Sequence, residues 1–169
     1  MEKIDWDILG FNVFETKSMF KATCKQGETW QAGGLVPYGK IELSPAAGVL
    51  NYGQGCFEGT KAFRTTNNRV VLFRIDLNAK RMARSTKRLC IPEMNKTFFV
   101  NAVKETVLDN IDYVPPYNKG TLYVRPIVWG TSPAIGVKPV EEYTFMVFVS
   151  PVGPYFKGGV RPLNLKINK

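Results

Sequence analysis

Tyr123 and Arg125 are the first residues in this sequence whose types and spacing could bind a ligand. They lie two positions apart in the segment 121–129, which is rich in β-branched and aromatic residues and predicts a strand. Alternate side chains of a strand share a face, so Tyr123 and Arg125 point the same way as Ile127 and Trp129. An arginine among aromatic side chains needs an anion, either a ligand carboxylate or an acidic side chain in a structural ion pair.

Arg81 is a candidate for binding phosphate. The segment 76–89 repeats apolar residues at helical spacing, and we predict that Asp76 caps this helix. Arg81 then lies in the second turn, where its side chain leans back toward the positive end of the helix dipole. The alternative is a solvated basic helix face, because the segment holds five basic residues: Lys80, Arg81, Arg84, Lys87 and Arg88.

A glycine-rich stretch at residues 49–64 is the third candidate region. Gly53, Gly55 and Gly59 predict a sharp change of chain direction rather than a regular element. Tyr52 and Phe57 flank these glycines, and functional side chains often lie on such bends. The alternative for both aromatics is a purely structural role in packing.

The composition bounds the class of protein. With 169 residues, of which 44% are hydrophobic, the chain can bury the core of a single domain. The sequence contains no histidine, which excludes Ser-His-Asp and Cys-His catalysis and histidine-based metal sites. Cys24, Cys56 and Cys90 are widely spaced and odd in number, so we predict three reduced, mostly buried thiols and no metal site.

The formal net charge of +9 raises the question of nucleic-acid binding. The basic residues are scattered, however, and neither an RNA-recognition signature nor a zinc finger is present, so the sequence disfavours a nucleic-acid partner. The first residues contain no apolar signal region, and no run approaches the ~20 apolar residues of a membrane span. We therefore predict a cytoplasmic protein without a membrane segment.

The order of predicted elements defines the fold class. Strands come first, then two helices, then strands again, which is typical of an α+β domain. We expect a mostly antiparallel sheet covered by the two helices. The predicted strands are 19–23, 29–32, 61–64, 69–73, 121–129 and 143–149, with hairpin turns at 25–28 and 65–68, and the predicted helices are 76–89 and 97–111.

Residues 50–63 resemble the hallmark opening of the branched-chain amino acid aminotransferases, which are pyridoxal-phosphate (PLP) enzymes of fold type IV. Ser44, Pro45 and residues 114–116 are most similar to the plant branch. The resemblance implies the fold of that group's small domain. Further segments match in order: 72–74 with Asn78, Arg81 and Met82, then 88–90, 120–126, 142–145, and 150–153 with Tyr155 and Phe156.

The resemblance also implies roles for individual residues. Arg81 matches the arginine that binds the phosphate of PLP, which makes it the predicted cofactor-binding residue. In the family dimer, the residue at the position of Tyr52 reaches the partner subunit's site. The substrate-binding residues implied are Tyr52, Phe57, Tyr123, Arg125 and Tyr155, with Phe11 and Val137 as weaker matches.

The sequence departs from the family pattern at two positions and stops early relative to it. Ile75 stands where a proline is usual, and Ser132 where a glycine is usual. We predict that residues 1–162 form the N-terminal small domain and that 163–169 begin an interdomain linker. The second family domain, which supplies the lysine bonded to PLP, has no match here, so we assign no catalytic residue.

The family reaction transfers an amino group between leucine, isoleucine or valine and 2-oxoglutarate. The resemblance therefore implies PLP as cofactor and branched-chain amino or 2-oxo acids as ligands, with this chain inactive alone. The alternative is a noncatalytic partner that forms homodimers, or heterodimers with full-length relatives. A basic RNA-binding module is a third and weaker hypothesis.

Overall fold

The computed structural model describes residues 4–155 and 162–167. In these residues the chain forms seven strands, three α-helices and a short 3-10 helix, Ile111–Tyr113. The strands are β1 Ser18–Lys25, β2 Gly34–Pro37, β3 Gly55–Phe57, β4 Thr60–Arg64, β5 Val70–Leu72, β6 Thr121–Gly130 and β7 Glu142–Val152. The helices are α1 Gly48–Tyr52, α2 Ile75–Arg88 and α3 Lys96–Asp109.

All seven strands belong to one sheet, in which every neighbouring pair is antiparallel. The order is β2-β1-β7-β6-β4-β5, and β3 pairs separately with β6. The long central pair runs in register from Thr121 opposite Val152 to Gly130 opposite Tyr143. The predicted α+β class with a mostly antiparallel sheet is confirmed.

The two faces of the sheet differ. On the closed face, buried side chains of β6 and β7 such as Leu122, Val124 and Phe145 pack with Met82 of α2 and Phe99 of α3. The open face carries no long helix in the described part of the chain. Its residues include Tyr123, Arg125, Ile127, Met146 and Phe148. The alternation that the sequence predicted for β6 is therefore confirmed, with every second side chain in the core.

The first predicted hairpin is partly wrong. Residues 29–32 form no strand, and β1 pairs instead with β2, with Lys21 opposite Gly34. The physical reason is Trp30, which is buried in the core and donates its indole N–H to the carbonyl of Pro92 at 3.0 Å. The chain packs inward at Trp30 and joins the sheet only afterwards. The second hairpin, β4 to β5, is confirmed.

The helix boundaries differ slightly from those predicted. Helix α2 begins at Ile75, so Asp76 lies in its first turn and is not the N-cap. The residue before the helix, Arg74, has left-handed backbone geometry with φ 50°, and its side chain makes no cap hydrogen bond. Asn95 caps α3, accepting the N–H of Phe98 at 2.8 Å.

The glycine-rich stretch changes direction sharply, as predicted, but the expectation that it forms no regular element is wrong, because it contains most of α1 and all of β3 and β4. Helix α1 stops at Gly53, whose φ of 63° is left-handed and favours glycine, and β3 starts two residues later. Strand β3 then pairs with β6, placing Phe57 opposite Ile127. The bend therefore delivers Phe57 to the same part of the sheet as Arg125.

Candidate functional site

The Tyr123–Arg125 pair lies on the open face near its centre. The Arg125 guanidinium donates to the Tyr123 hydroxyl from Nη2 at 2.7 Å and from Nε at 3.2 Å. Its central carbon lies 4.3 Å from the centre of the Phe57 ring and 5.1 Å from that of Tyr123. Two aromatic faces and a hydroxyl thus hold the guanidinium in one orientation.

The anion that Arg125 needs is not an acidic side chain in the described part of the chain. The ion pairs there are Lys17–Asp109, Arg81–Glu58 and Lys119–Asp7. The structural ion pair that the sequence left open therefore has no support among residues 4–155 and 162–167. A half-buried guanidinium with donors to spare is suited to a carboxylate.

Phe11 connects Tyr155 to this cluster. The Phe11 ring lies edge-on to Tyr123, with ring centres 5.8 Å apart, and edge-on to Tyr155 at 5.0 Å. Four of the predicted substrate-binding residues, Phe57, Tyr123, Arg125 and Tyr155, therefore belong to one aromatic cluster. Phe11, a weaker match in the sequence, is the residue that joins Tyr155 to the others.

Gly59 lies where no larger residue fits. A Cβ added to Gly59 would lie 2.5 Å from the Tyr123 hydroxyl oxygen and 3.3 Å from the ring carbon that carries it. The bend therefore allows the hydroxyl to approach the main chain. Spacing alone could not reveal this contact, because Gly59 and Tyr123 are far apart in sequence.

Arg81 forms a two-pronged salt bridge with Glu58. Its Nε lies 2.9 Å from Oε1 of Glu58, and its Nη2 lies 2.7 Å from Oε2. The Glu58 side chain is only 10% exposed, whereas that of Arg81 is 50% exposed. The hydrogen bonds and the charge of Glu58 raise the pKa of Arg81. Sequence reasoning missed Glu58; its place between Phe57 and Gly59 was the available signal.

Arg81 also lines a cleft between α2 and the end of β3. The cleft has a volume of about 480 Å³. Its lining residues are Cys56, Glu58, Arg81, Arg84, Ser85, Arg88 and Leu89. Three arginines and a serine supply donors suited to a phosphate group, so the side chains present fit the anionic part of a phosphorylated ligand.

Tyr52 and Val137 are not part of the aromatic cluster. The Tyr52 hydroxyl donates to the backbone carbonyl of Ile135, in the loop that also carries Val137. Tyr52 is 39% exposed and Val137 is 89% exposed. The structure therefore groups these two predicted residues with each other, and their roles remain predictions.

An apolar groove that the sequence did not predict lies beside the cluster on the open face. Its volume is about 470 Å³. Phe57 and Ile127 line it near Arg125, and α1 contributes Leu50. The indole N–H of Trp129, also in the lining, is buried and has no hydrogen-bond partner in the described residues. Buried donors are usually paired, so the unpaired indole N–H of Trp129 is unusual for a buried group.

The three cysteines are free, but only Cys24 is fully buried. Cys90 is exposed, so the prediction of mostly buried thiols is wrong there: it follows the end of α2 with left-handed backbone geometry. Burial, and secondarily Glu58, raises the pKa of Cys56 to about 11. No group of three acidic or cysteine side chains in residues 4–155 and 162–167 could hold a metal ion.

Residues 55–160 match the amino-transferase class IV family, and the chain belongs to it. This family is PLP-dependent. Among curated relatives, the chain is 51% identical over 162 residues to branched-chain amino acid aminotransferase 2, chloroplastic, of Humulus lupulus. That alignment covers 96% of this chain and 40% of the relative. The chain thus spans about 40% of the length of the curated relatives it matches.

Solved structures share the fold of this chain. The Escherichia coli branched-chain amino acid aminotransferase matches 85% of this chain, with a TM-score of 0.66 at 18% identity, covering 42% of that protein. A T.th. branched-chain amino acid aminotransferase, complexed with N-(5'-phosphopyridoxyl)-L-glutamate, matches 79% with a TM-score of 0.58 at 26% identity, covering 40% of that protein. No helix in the described part of the chain is long and apolar enough to cross a membrane.

Proposed function

We propose that residues 1–162 are the N-terminal small domain of a PLP-dependent branched-chain aminotransferase. Such an enzyme would transfer an amino group between leucine, isoleucine or valine and 2-oxoglutarate. The observation that carries the proposal is the aromatic cluster around Arg125, in a chain 51% identical to an enzyme of that name. Residues 163–169 are assigned to the start of an interdomain linker, of which 168 and 169 lie outside the described residues.

Arg81 is assigned to the phosphate of PLP. Glu58 does not occupy the Nη1 edge of the Arg81 guanidinium. This edge can therefore form charge-assisted hydrogen bonds with a phosphate. When bound, PLP would supply an electron sink for the electrons released at the amino acid's α-carbon. Among the site residues, Arg81 would hold this cofactor and would not move a proton.

Arg125 is assigned to the substrate carboxylate, with Tyr123 positioning it. The guanidinium already lies between the rings of Phe57 and Tyr123, so little side-chain freedom is lost when a carboxylate binds. The same rings form an apolar wall against which a branched aliphatic side chain can pack. Tyr155 is assigned to the same pocket, and Tyr52, which lies outside the aromatic cluster, to the substrate pocket of a partner subunit.

The proton transfers of the reaction need a base at the α-carbon. Lys61 lies opposite Tyr123 in the pairing of β4 with β6 and lines a cavity with it, but it does not match the family's PLP-bound lysine. Lys166 is exposed in the terminal segment. Lys169 and Phe156 lie outside the described residues. We therefore propose that the 169 residues alone do not turn over substrate and that the family's lysine must come from additional sequence.

A second candidate is a noncatalytic partner that forms a homodimer or binds a full-length relative. The open groove and the unpaired Trp129 indole favour it, because both fit a surface that another chain covers.

The localisation of the protein is a separate question. Cytoplasmic placement remains a prediction, to be checked by fractionation, since the Humulus lupulus relative is named chloroplastic.

The assignments can be tested in a fusion of residues 1–162 to the remaining part of the Humulus lupulus relative. We expect activity with leucine, and two separable losses. Arg81→Ala should weaken cofactor retention, and Arg125→Ala should raise KM for the amino acid, each by about ten- to a hundredfold, the value of one charge-assisted contact. Arg69→Ala, at an exposed turn, is the control.

Cofactor dissociation and KM are measured in the same preparations. Unchanged PLP affinity in Arg81→Ala, or a change in cofactor binding without a change in KM in Arg125→Ala, contradicts the assignments. Turnover by the unfused 169-residue chain would contradict its catalytic incompleteness.

A further inference from the structure

We propose that Glu58 is a positioning residue that orients Arg81 toward a phosphate group. The inference rests on the proposed function, because it assumes that Arg81 binds phosphate. It adds a role for a residue that sequence comparison with the family did not single out. The role is to hold one edge of the guanidinium so that the other edge faces the cleft.

The geometry of the fork assigns the two edges. A guanidinium has five N–H donors. Glu58 accepts from Nε and from Nη2, at 2.9 and 2.7 Å, which occupies one side of the planar group. Nη1 and the second proton of Nη2 have no partner in the described residues. Because Arg81 lines the cleft and is half exposed, this free edge is available to an anion.

Glu58 can orient Arg81 because Glu58 is itself fixed. Its side chain is almost fully buried, and Oε2 also accepts from Nδ2 of Asn78 at 2.9 Å. The same amide group donates to the carbonyl of Gly59 at 3.2 Å. The backbone N–H of Glu58 donates to the carbonyl of Pro126 in β6 at 2.8 Å. The arginine on α2 is therefore tied to the central sheet through one carboxylate.

A carboxylate beside a phosphate site also repels the phosphate, so two effects compete. Glu58 binds the far edge of the guanidinium, which separates its charge from the anion. Arg84 and Arg88 line the same cleft and have no carboxylate partner in the described residues, so the cleft keeps a positive balance. Without Glu58, the flexible Arg81 side chain must be ordered when the anion binds. We expect the ordering effect to exceed the repulsion.

The test compares two probes, pyridoxamine 5'-phosphate and pyridoxamine. Neither carries an aldehyde, so neither reacts with surface lysines. Affinities are measured by NMR titration of the 169-residue chain, which detects millimolar binding. The wild-type chain should prefer the phosphorylated probe. Glu58→Gln preserves the size of the side chain, but its amide cannot accept hydrogen bonds from both Nε and Nη2 of Arg81. This variant should bind the phosphorylated probe about three- to tenfold more weakly, with no change in its affinity for pyridoxamine.

The effect must also depend on Arg81. In an Arg81→Ala background, Glu58→Gln should have no further effect on the phosphorylated probe, because the residue it positions is gone. Glu105→Gln is the matched control: it removes the same charge from an exposed position on α3 and should change neither affinity. If Glu58→Gln does not fold, as judged by circular dichroism, Glu58→Asp is used, which is too short to span the fork.

Three outcomes overturn the proposal. Phosphate binding as tight as or tighter than wild type in Glu58→Gln would mean that the carboxylate merely competes with the anion. An equal loss for both probes, or the same loss in the Arg81→Ala background, would mean a general structural role. If Arg81→Ala itself keeps the preference for the phosphorylated probe, the phosphate site of the proposed function fails, and this inference with it.

Discussion

The closed and open faces of the central sheet are built from the same strands and have opposite properties. On the closed face, Phe145 is fully buried, with its ring centre about 6 Å from those of Phe20, Trp30, Phe98 and Phe99. On the open face, three residues along the same strand, Phe148 lies half-buried at the edge of a groove. In the described residues, the closed face is fully packed, whereas the open face presents an arginine, an unpaired indole N–H and apolar surface.

The difference shows how one strand supplies both a core and a site. Successive residues of β6, Val124 and Arg125, point to opposite faces, so the buried residue fixes where its charged neighbour stands. Strand β3 repeats the arrangement: the Cys56 sulfur lies 3.7 Å from that of Met82 in the core, and Phe57 lies under Arg125. A rigid closed face therefore preorganises the open one.

The largest expected effect tests whether the faces differ in stability. Phe145→Ala should lower the free energy of unfolding by about 3–5 kcal/mol, because it empties the centre of an aromatic cluster. Phe148→Ala, the same substitution on the same strand, should cost less than about 2 kcal/mol, since that side chain is already partly solvated. Denaturant melts measure both. Equal losses would mean that the two faces are equally consolidated.

The next effect concerns association through the open face. Leu50 is 61% exposed in the groove, and the control Leu108 is 67% exposed on α3. We expect the wild-type chain to self-associate, and Leu50→Glu to weaken the association about tenfold or more by burying an unpaired charge at the interface. Leu108→Glu should have little effect. A clean monomer by light scattering at high concentration would contradict this use of the groove.

The smallest effect is a difference in thiol reactivity. With a pKa of about 11, Cys56 on the closed side holds roughly one thiolate per thousand molecules at pH 8. In a variant that keeps only Cys56, modification by a disulfide reagent should accelerate about tenfold per pH unit from about pH 7 to 10. A variant that keeps only exposed Cys90 provides the control. A plateau for Cys56 near about pH 9 would show that its environment is not closed.

Local patterns in the sequence were sufficient for the fold class, the alternation along β6 and the second hairpin. Period-2 patterning around Tyr123 and Arg125 and helical spacing around Met82 depend only on which residues can be buried together. The bend at Gly53 was also predictable, because a left-handed residue followed by a strand favours glycine. The residue-by-residue resemblance selected Phe57, Tyr123, Arg125 and Tyr155, which the structure brings together.

The partner that each group takes was settled by tertiary contacts alone. Glu58 was one of fourteen acidic residues until β3 and α2 brought it against Arg81, 23 positions away. The failed strand at 29–32 has the same origin, because a local pattern cannot show that the Trp30 indole will find the Pro92 carbonyl. Contacts between residues distant in sequence form only when the core closes, because closing the loop between them costs entropy. Packing in the core offsets this cost, and a short stretch of sequence does not show that packing.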